Sequence, residues 1–357
     1  MKYILVDTMN LFFRARHTVH RGADISDKLG LSMHMMLAAA NKLIKRDGTD
    51  HVLFALEGGN NWRKTYYEPY KKQRAAERQK RTETEIEEDD LYFEVYNAFV
   101  TYLNDKTNCS VISAPGAEAD DVIARFIALH PDDEHVILSS DTDYYQLITD
   151  KVHMYNGITK EMITPEGNFD DNGRHVIDKK TQEHKVIGDP QWLLFEKCIR
   201  GDKSDNVFSA YPGVRKKGTK NKTGLLEAFA DKDKKGYNWN NLMLQRWTDH
   251  NDVEHKVLDD YERNRRLIDL TLQPDEIKDM VDETIINELL ISAVKHIPAT
   301  DINFQFMKFC GVHDLVKLSE HPGDIIKWMM KPYKGHITNL TGVDEWKTYR
   351  RLEQNQS

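Results

Sequence analysis

The sequence has little cysteine and nowhere to pair it. Its three cysteines, Cys109, Cys198 and Cys310, lie far apart and form no CxxC pair. That excludes a disulfide scaffold and a cysteine-based zinc framework, and it fits a reducing cytoplasm. No apolar run approaches the roughly 20 residues that a membrane helix needs. The opening run Tyr3-Ile4-Leu5-Val6 is cut short by Asp7, so it does not read as a signal peptide. A GxxxxGK[ST] loop is missing. Gly213 to Gly218 has the glycine spacing but continues as Thr219-Lys220 with no strand before it, which argues against an NTPase. No Ser/His/Asp or Cys/His signature of nucleophilic catalysis stands out. Internal repeats and Pro/Ser-rich linkers are absent too.

What is present is enough apolar residue, 39%, for a sizeable core. At roughly 150 residues per domain, 357 residues suggest two domains. The net charge is −8, from 50 Lys and Arg against 58 Asp and Glu. An acidic total does not exclude a nucleic-acid partner when the charges are segregated, and here they are.

Buried strands are predicted over 2–6, 51–56, 109–113 and 135–139, each a short apolar run. Helical patterns fall between them at about 27–45, 86–106 and 117–129. Strands alternating with helices mean a mainly parallel sheet flanked by helices, with sites outside the carboxyl ends of the strands. Tyr155-Asn156-Gly157 signals a hairpin across 152–163, and a second is expected across 174–187. From about 189 the chain reads as mostly helical, over 190–200, 222–230, 240–247, 254–268, 284–295, 301–309 and 312–318. The expected division is an α/β core over 1–188 with an excursion at about 58–105, a helical domain over 189–320, and an extension over 321–357.

Acidic residues gather at those strand ends and on the helix starts that follow: Asp7, Glu57, Glu118, Asp120, Asp121, Asp141 and Asp143. Two more, Asp202 and Asp205, lie in Gly201-Asp202-Lys203-Ser204-Asp205-Asn206. Each piece alone has a bland reading as a strand-end cap, a helix N-cap or a polar turn. Their order and spacing together point to metal ions. Carboxylates crowded at one edge raise each other's pKa unless cations compensate. An all-oxygen set favours Mg²⁺ or Mn²⁺ over zinc. Two such ions suit phosphodiester hydrolysis.

Two basic segments supply a nucleic-acid surface. Between Arg63 and Arg81 stand eight basic residues, including Lys64, Lys71, Lys72, Arg74 and Arg78, against only Glu68 and Glu77. Tyr66, Tyr67 and Tyr70 are interleaved, which suits phosphate contact plus base stacking. The second segment runs through Arg215, Lys216, Lys217, Lys220 and Lys222 with no acid. Its glycine turn enters a helix and is expected to offer backbone N–H groups to a phosphate.

The order Asp7, Glu57, Arg63 with Tyr70-Lys71-Lys72-Gln73-Arg74, AEADD (117–121), SSDTD (139–143) and GDKSDN (201–206) resembles the structure-specific 5′-nucleases. That family includes flap endonucleases, the 5′-nuclease domain of bacterial DNA polymerase I and, nearest in its motifs, the ribonuclease H of T-even phages. The likeness continues to Tyr261–Asp269. The resemblance implies a PIN-like core with a helical arch and a mostly helical C-terminal domain. By it, Asp7, Glu118, Asp120 and Asp121 serve a first metal, and Asp141, Asp143, Asp202 and Asp205 a second. Lys71 and Arg74 meet the scissile phosphate, and Arg63 helps place the arch. Gly201 through Lys222 forms a helix–three-turn–helix element on the duplex. Glu57 departs from the family's usual Asp by one methylene.

The expected function is a divalent-metal-dependent 5′-to-3′ exonuclease and flap endonuclease, with two Mg²⁺ ions that Mn²⁺ can replace. It would act on RNA–DNA hybrid and duplex DNA near 5′ ends, removing RNA primers in replication. A monomer in the cytoplasm, of a host if phage-encoded, is expected, with a single-stranded-DNA-binding protein as a partner. The alternatives are a non-catalytic DNA-binding protein with a decayed site, for which Glu57 is the one hint, and a PIN-type ribonuclease for single strands. The second would lack the basic arch and the GDKSDN element.

Overall fold

The structure is a computed structural model, and it describes residues 1–18, 25–220, 222–320 and 322–335. Its centre is a seven-stranded sheet in the order β3-β2-β1-β4-β5-β6-β7. The strands are β1 (Lys2–Asp7), β2 (His51–Leu56), β3 (Ser110–Ser113), β4 (Glu134–Leu138), β5 (Val152–Asn156), β6 (Glu161–Thr164) and β7 (Gly167–Phe169). The first five are parallel, and β6 and β7 fold back antiparallel. The central strand KYILVD is buried from Tyr3 onward, as a strand covered on both faces requires.

Alternate residues feed two cores. Ile4, Val6, Val52 and Phe54 face α1 (Thr8–Thr18), α2 (Ile25–Asp47) and the long α5. Tyr3, Leu5, Leu53 and Ala55 face α6. Between β2 and β3 come α3 (Trp62–Tyr66), α4 (Lys72–Gln79) and α5 (Glu83–Lys106). A capping box between Thr82 and Glu85 starts α5. From Tyr92 onward one face of α5 is buried in the core, so the excursion ends nearer residue 91 than 105. Helix α6 (Ala119–Leu129) links β3 to β4. The sequence builds outward from β1 in both directions, so the switch point lies between the carboxyl ends of β1 and β4.

A third core belongs to the helical region: α7 (Pro190–Arg200), α8 (Leu225–Ala230), α9 (Tyr237–Met243) and α10 (Val257–Ile268). Tyr70 from the excursion is part of it. The expected helix over 240–247 stops at Met243. The chain then forms a hairpin of β8 (Arg246–Thr248) and β9 (Glu254–Lys256). Asp249 closes its turn by accepting from Asn251 N and Val253 N, a local bond that competes with helix. The expected hairpin across 174–187 forms, with Lys185 N donating to Val176 O at 2.8 Å.

The domain division is redrawn by where the last helices pack. Helices α11 (Asp275–Val294), α12 (Ala299–Val312), α13 (Val316–Ser319) and α14 (Pro322–Met329) return to the α/β core rather than extending the helical domain. The described part of the expected extension, 322–335, is likewise core. Trp328, Met329 and Tyr333 are buried, and Tyr333 stacks on Tyr3 of β1. Residues 336–357 lie outside the described residues.

Candidate active site

The carboxyl ends of β1, β2 and β4 open into a cleft of about 1010 Å³. Asp7, the last residue of β1, sits there nearly covered. Ser139 Oγ donates to its Oδ2 at 3.0 Å, Tyr144 OH at 3.1 Å, and Asn10 N to its Oδ1 at 3.3 Å. Burial, helped by the negative Asp141, still pushes its carboxyl up to about 6. Glu57 follows β2 and lines the cleft as an exposed residue. Desolvation and the neighbouring Glu118 push it up to about 7.

At the start of α6, Glu118 is the N-cap. Lys71 Nζ contacts its Oε1, Tyr70 OH donates to its Oε2 at 2.8 Å, and Arg63 Nη1 does so at 3.2 Å. Burial alone would raise its pKa, but Lys71 and Arg63 outweigh that and hold it at about 2. Asp120 lines the cleft beside it; among the described residues its buried Oδ1 accepts no hydrogen bond, and Arg63 Nη1 stands 3.7 Å away. Burial, with Asp121 adding to it, raises its carboxyl well above the usual range. A buried carboxylate oxygen without a donor is the place a cation would fill.

Asp121 is different, and the expectation that it serves a metal is corrected. It is wholly buried. Arg63 forks onto it at 2.7 and 2.8 Å, and Trp62 Nε1 and Glu118 N donate to it at 3.1 and 3.0 Å. Both of its oxygens are bound by protein donors, so it anchors the start of α6 instead. Arg63 is corrected with it. The side chain is 1% exposed and its Nε donates to Leu267 O at 2.9 Å, so it ties α3 to α6 and α10 and meets no nucleic acid. Tyr70 is also withdrawn from base stacking. It is buried, and its hydroxyl sits between Glu118 and Asp205.

A second acidic group lies across the cleft. Asp143, Asp202 and Asp205 bring carboxylate oxygens within 4.8 Å of one another. Asp141, exposed, accepts from Asp143 N at 3.0 Å. Asp202 Oδ1 accepts from Ser204 N and Oγ at 2.8 and 2.6 Å. Gly201 makes this loop possible. It has φ 77°, and a Cβ there would lie 2.3 Å from Val207 O. The two groups share an all-oxygen donor set and one cleft, which fits hard divalent cations.

The foot of the arch is stapled to this second group. Lys71 N donates to Asp205 O at 2.8 Å, Gln73 Nε2 to Ser204 O at 2.7 Å and Asn206 Nδ2 to Pro69 O at 2.7 Å. Arg74 Nη2 reaches Asp205 Oδ1 at 2.7 Å. Arg78 lines the cleft, Lys64 is exposed, and Lys72 pairs with the exposed Glu68. Arg215, Lys216, Lys217, Lys220 and Lys222 are exposed as expected. Two backbone amides of that segment are not free for phosphate, however. Gly218 N and Gly224 N both donate to the Glu227 carboxylate, at 3.0 Å each.

Two basic cleft residues escaped the motif reading, Arg14 and Lys197. Lys197 is the most telling. It contacts Asp143 and lies 2.7 Å from Asp202. Its one sequence signal is its place in the last turn of a helix, five residues before Asp202.

The raised carboxyl of Glu57 yields a stability prediction. An unfolded Glu ionises near 4.5, whereas the folded one holds its proton to about 7. Above 7 the folded state therefore carries a cost that disappears as pH falls toward 4.5. Glu57→Gln is expected to raise metal-free stability by about 1 kcal/mol at pH 8, after allowing for solvent screening, and by nothing near pH 4.5. Urea denaturation at the two pH values checks it.

Comparison with known proteins places this geometry. Residues 2–174 match the family model described as 5′-3′ exonuclease, N-terminal resolvase-like domain. A 5′-3′ exonuclease of Buchnera aphidicola is 27% identical over 232 residues, 64% of this chain and 70% of that protein. The flap endonuclease of Escherichia phage T5 is 26% identical over 237 residues, 64% of this chain and 70% of that protein. A thermostable DNA polymerase I of Thermus filiformis is 29% identical over 231 residues, and this chain spans only 23% of its length. The phage T5 5′-exonuclease solved with zinc shares the fold, with a TM-score of 0.58 at 19% identity over 82% of this chain and all of that one. A T5 flap endonuclease variant solved with DNA and metal ions has a TM-score of 0.53 at 19% identity over 90% of this chain and all of that one. Residues 2–174 therefore match the N-terminal, resolvase-like domain of the 5′-3′ exonuclease family, in keeping with the family that the carboxylate motifs resemble.

Proposed function

We propose that this protein is a divalent-metal-dependent 5′-nuclease, a 5′-to-3′ exonuclease and flap endonuclease on DNA. The observation that carries the reading is the cleft itself. Two acidic groups face each other at the switch point of the sheet, and Lys71, Arg74 and Arg78 border the same cleft. The matched family and its named relatives support the same activity. We further propose RNA–DNA hybrid as a substrate, RNA primer removal as the role, Mg²⁺ as the physiological ion with Mn²⁺ able to replace it, and action as a cytoplasmic monomer beside a single-stranded-DNA-binding protein.

Asp7, Glu57, Glu118 and Asp120 would hold one ion, and Asp143, Asp202 and Asp205 with Asp141 nearby the other. Such ions supply Lewis-acid charge to the scissile phosphate and to the attacking water. The chain's own groups do the rest. Water forms the new P–O bond, the bond to the departing 3′ oxygen breaks, and no covalent enzyme intermediate is needed. Lys71 and Arg74, freed from Glu118 and Asp205 by the incoming phosphate, offset the charge that develops on its oxygens. The exposed lysines of 215–222 grip the duplex backbone.

Cleavage of an internally labelled 5′-flap duplex and an RNA–DNA hybrid, with Mg²⁺, Mn²⁺ or EDTA, tests the reading. Short products from the 5′ end that vanish in EDTA are expected. Binding without cleavage under every metal condition would overturn it in favour of a decayed site. Lys71→Ala is expected to lower kcat by about a hundredfold while KM changes less than threefold. A change in KM alone would make Lys71 a substrate holder.

A further inference from the structure

The place proposed for the second cation is already claimed by the protein. Lys197 lines the cleft, and its ammonium contacts Asp143 Oδ1 and lies 2.7 Å from Asp202 Oδ2. The oxygens of Asp143, Asp202 and Asp205 lie within 4.8 Å of one another. One ammonium thus satisfies two of the three carboxylates. The first group is held in another way: Lys71 and Arg63 pair with Glu118, and Arg63 Nη1 lies 3.7 Å from Asp120 Oδ1, while among the described residues Asp7 and Glu57 form no ion pair with a lysine or arginine.

We propose that Lys197 is a built-in competitor for the second cation, lowering the affinity of the Asp143–Asp202–Asp205 group for a divalent ion until a phosphate arrives. This inference rests on the nuclease reading for the existence of the two cation sites. Its physics is charge. A divalent ion at the second group meets an ammonium a few ångströms away and must repel or displace it. The lysine stem is flexible and already in the cleft, so a substrate phosphate gives the ammonium another anion to pair with. That exchange releases two carboxylates to the ion. Phosphate and second cation therefore bind with positive coupling, and each tightens the other by the same factor. The ammonium also explains how three carboxylates sit this close in the free protein without opening the loop.

Calorimetric titration of the full metal-free chain with Mn²⁺ tests the proposal. It is run with and without a duplex ending in a 5′-phosphate. Wild type is expected to show a tight and a weak step, with the duplex tightening the weak one. Lys197→Met should tighten the weak step about tenfold or more, leave the tight step in place, and abolish most of the further gain from the duplex. Lys197→Arg, which keeps the charge, should leave the weak step weak. If Lys197→Met fails to fold, Lys197→Gln carries the same expectation, and a thermal melt reports folding for each variant. Two unchanged steps in a folded Lys197→Met or Lys197→Gln protein would overturn the competitor role alone. No Mn²⁺ binding by wild type would overturn both this proposal and the nuclease reading. A lowered melting temperature with unaltered Mn²⁺ steps would leave Lys197 a purely structural residue and so refute it.

Discussion

Asp143→Ala leaves flap DNA bound and uncut. Turnover is expected to fall by about a thousandfold or more, because the residue supplies one of three closely spaced carboxylates to the proposed second ion. Affinity for a 5′-flap duplex in EDTA should change by less than about threefold. Asp143 lies within the cleft, whereas the lysines of 215–222 stand exposed outside it. Losing a negative charge from the cleft cannot weaken attraction to a phosphate. Single-turnover cleavage beside filter binding separates the two quantities. Binding that falls in step with cleavage would mean that Asp143 shapes the substrate surface instead.

The second large effect is on stability. Arg63→Met should cost about 3–5 kcal/mol, since it leaves the buried Asp121 carboxylate without its cation. The melting temperature should drop by roughly 6 °C or more. Adding Asp121→Asn to that variant removes the stranded charge and should recover part of the loss, a coupling that a double-mutant cycle measures. A loss below about 1 kcal/mol would show that Asp121 finds another partner. The same variant is expected to cut slowly even where it is folded, because Glu118 and Asp120 lose the guanidinium beside them.

The parallel sheet and its acidic edge were legible for a local reason. A strand buried on both faces must be apolar throughout, so an acid at its end stands out, as Asp7 does after Tyr3-Ile4-Leu5-Val6. Glu118 and Asp120 were legible as carboxylates at a helix start. What separates them from Asp121 was not, because three acids in four residues look alike until Arg63 and Trp62 arrive from 58 and 59 residues upstream. Tyr70 and Arg63 read as surface for the same reason. A basic, aromatic stretch has one appearance whether it faces solvent or an acidic interior. Lys197 was hidden because its partners are set by how α7 lies against the segment that follows β4. The β8–β9 hairpin was missed because its strands are three residues each, too short for an alternating pattern to register. The return of 322–335 to the core carried no local mark at all.

That return sets the order in which the protein can be made. Tyr333 packs on Tyr3 and against His51, and its hydroxyl lies 3.2 Å from His130 Nε2, while His51 Nδ1 bonds the carbonyl of Lys331 at 3.1 Å. The amino-terminal ends of β1 and β2 are thus sealed by residues that follow β2 by 280 positions, the separation of His51 and Lys331. At roughly 5–20 residues per second, the interval between β3 leaving the ribosome and this strap following it is on the order of ten seconds or more. Through that time the first strands wait with one end open to water. The sheet matures only once this strap has been delivered, so a chain stopped before residue 329 would have an unsealed core, open to proteases.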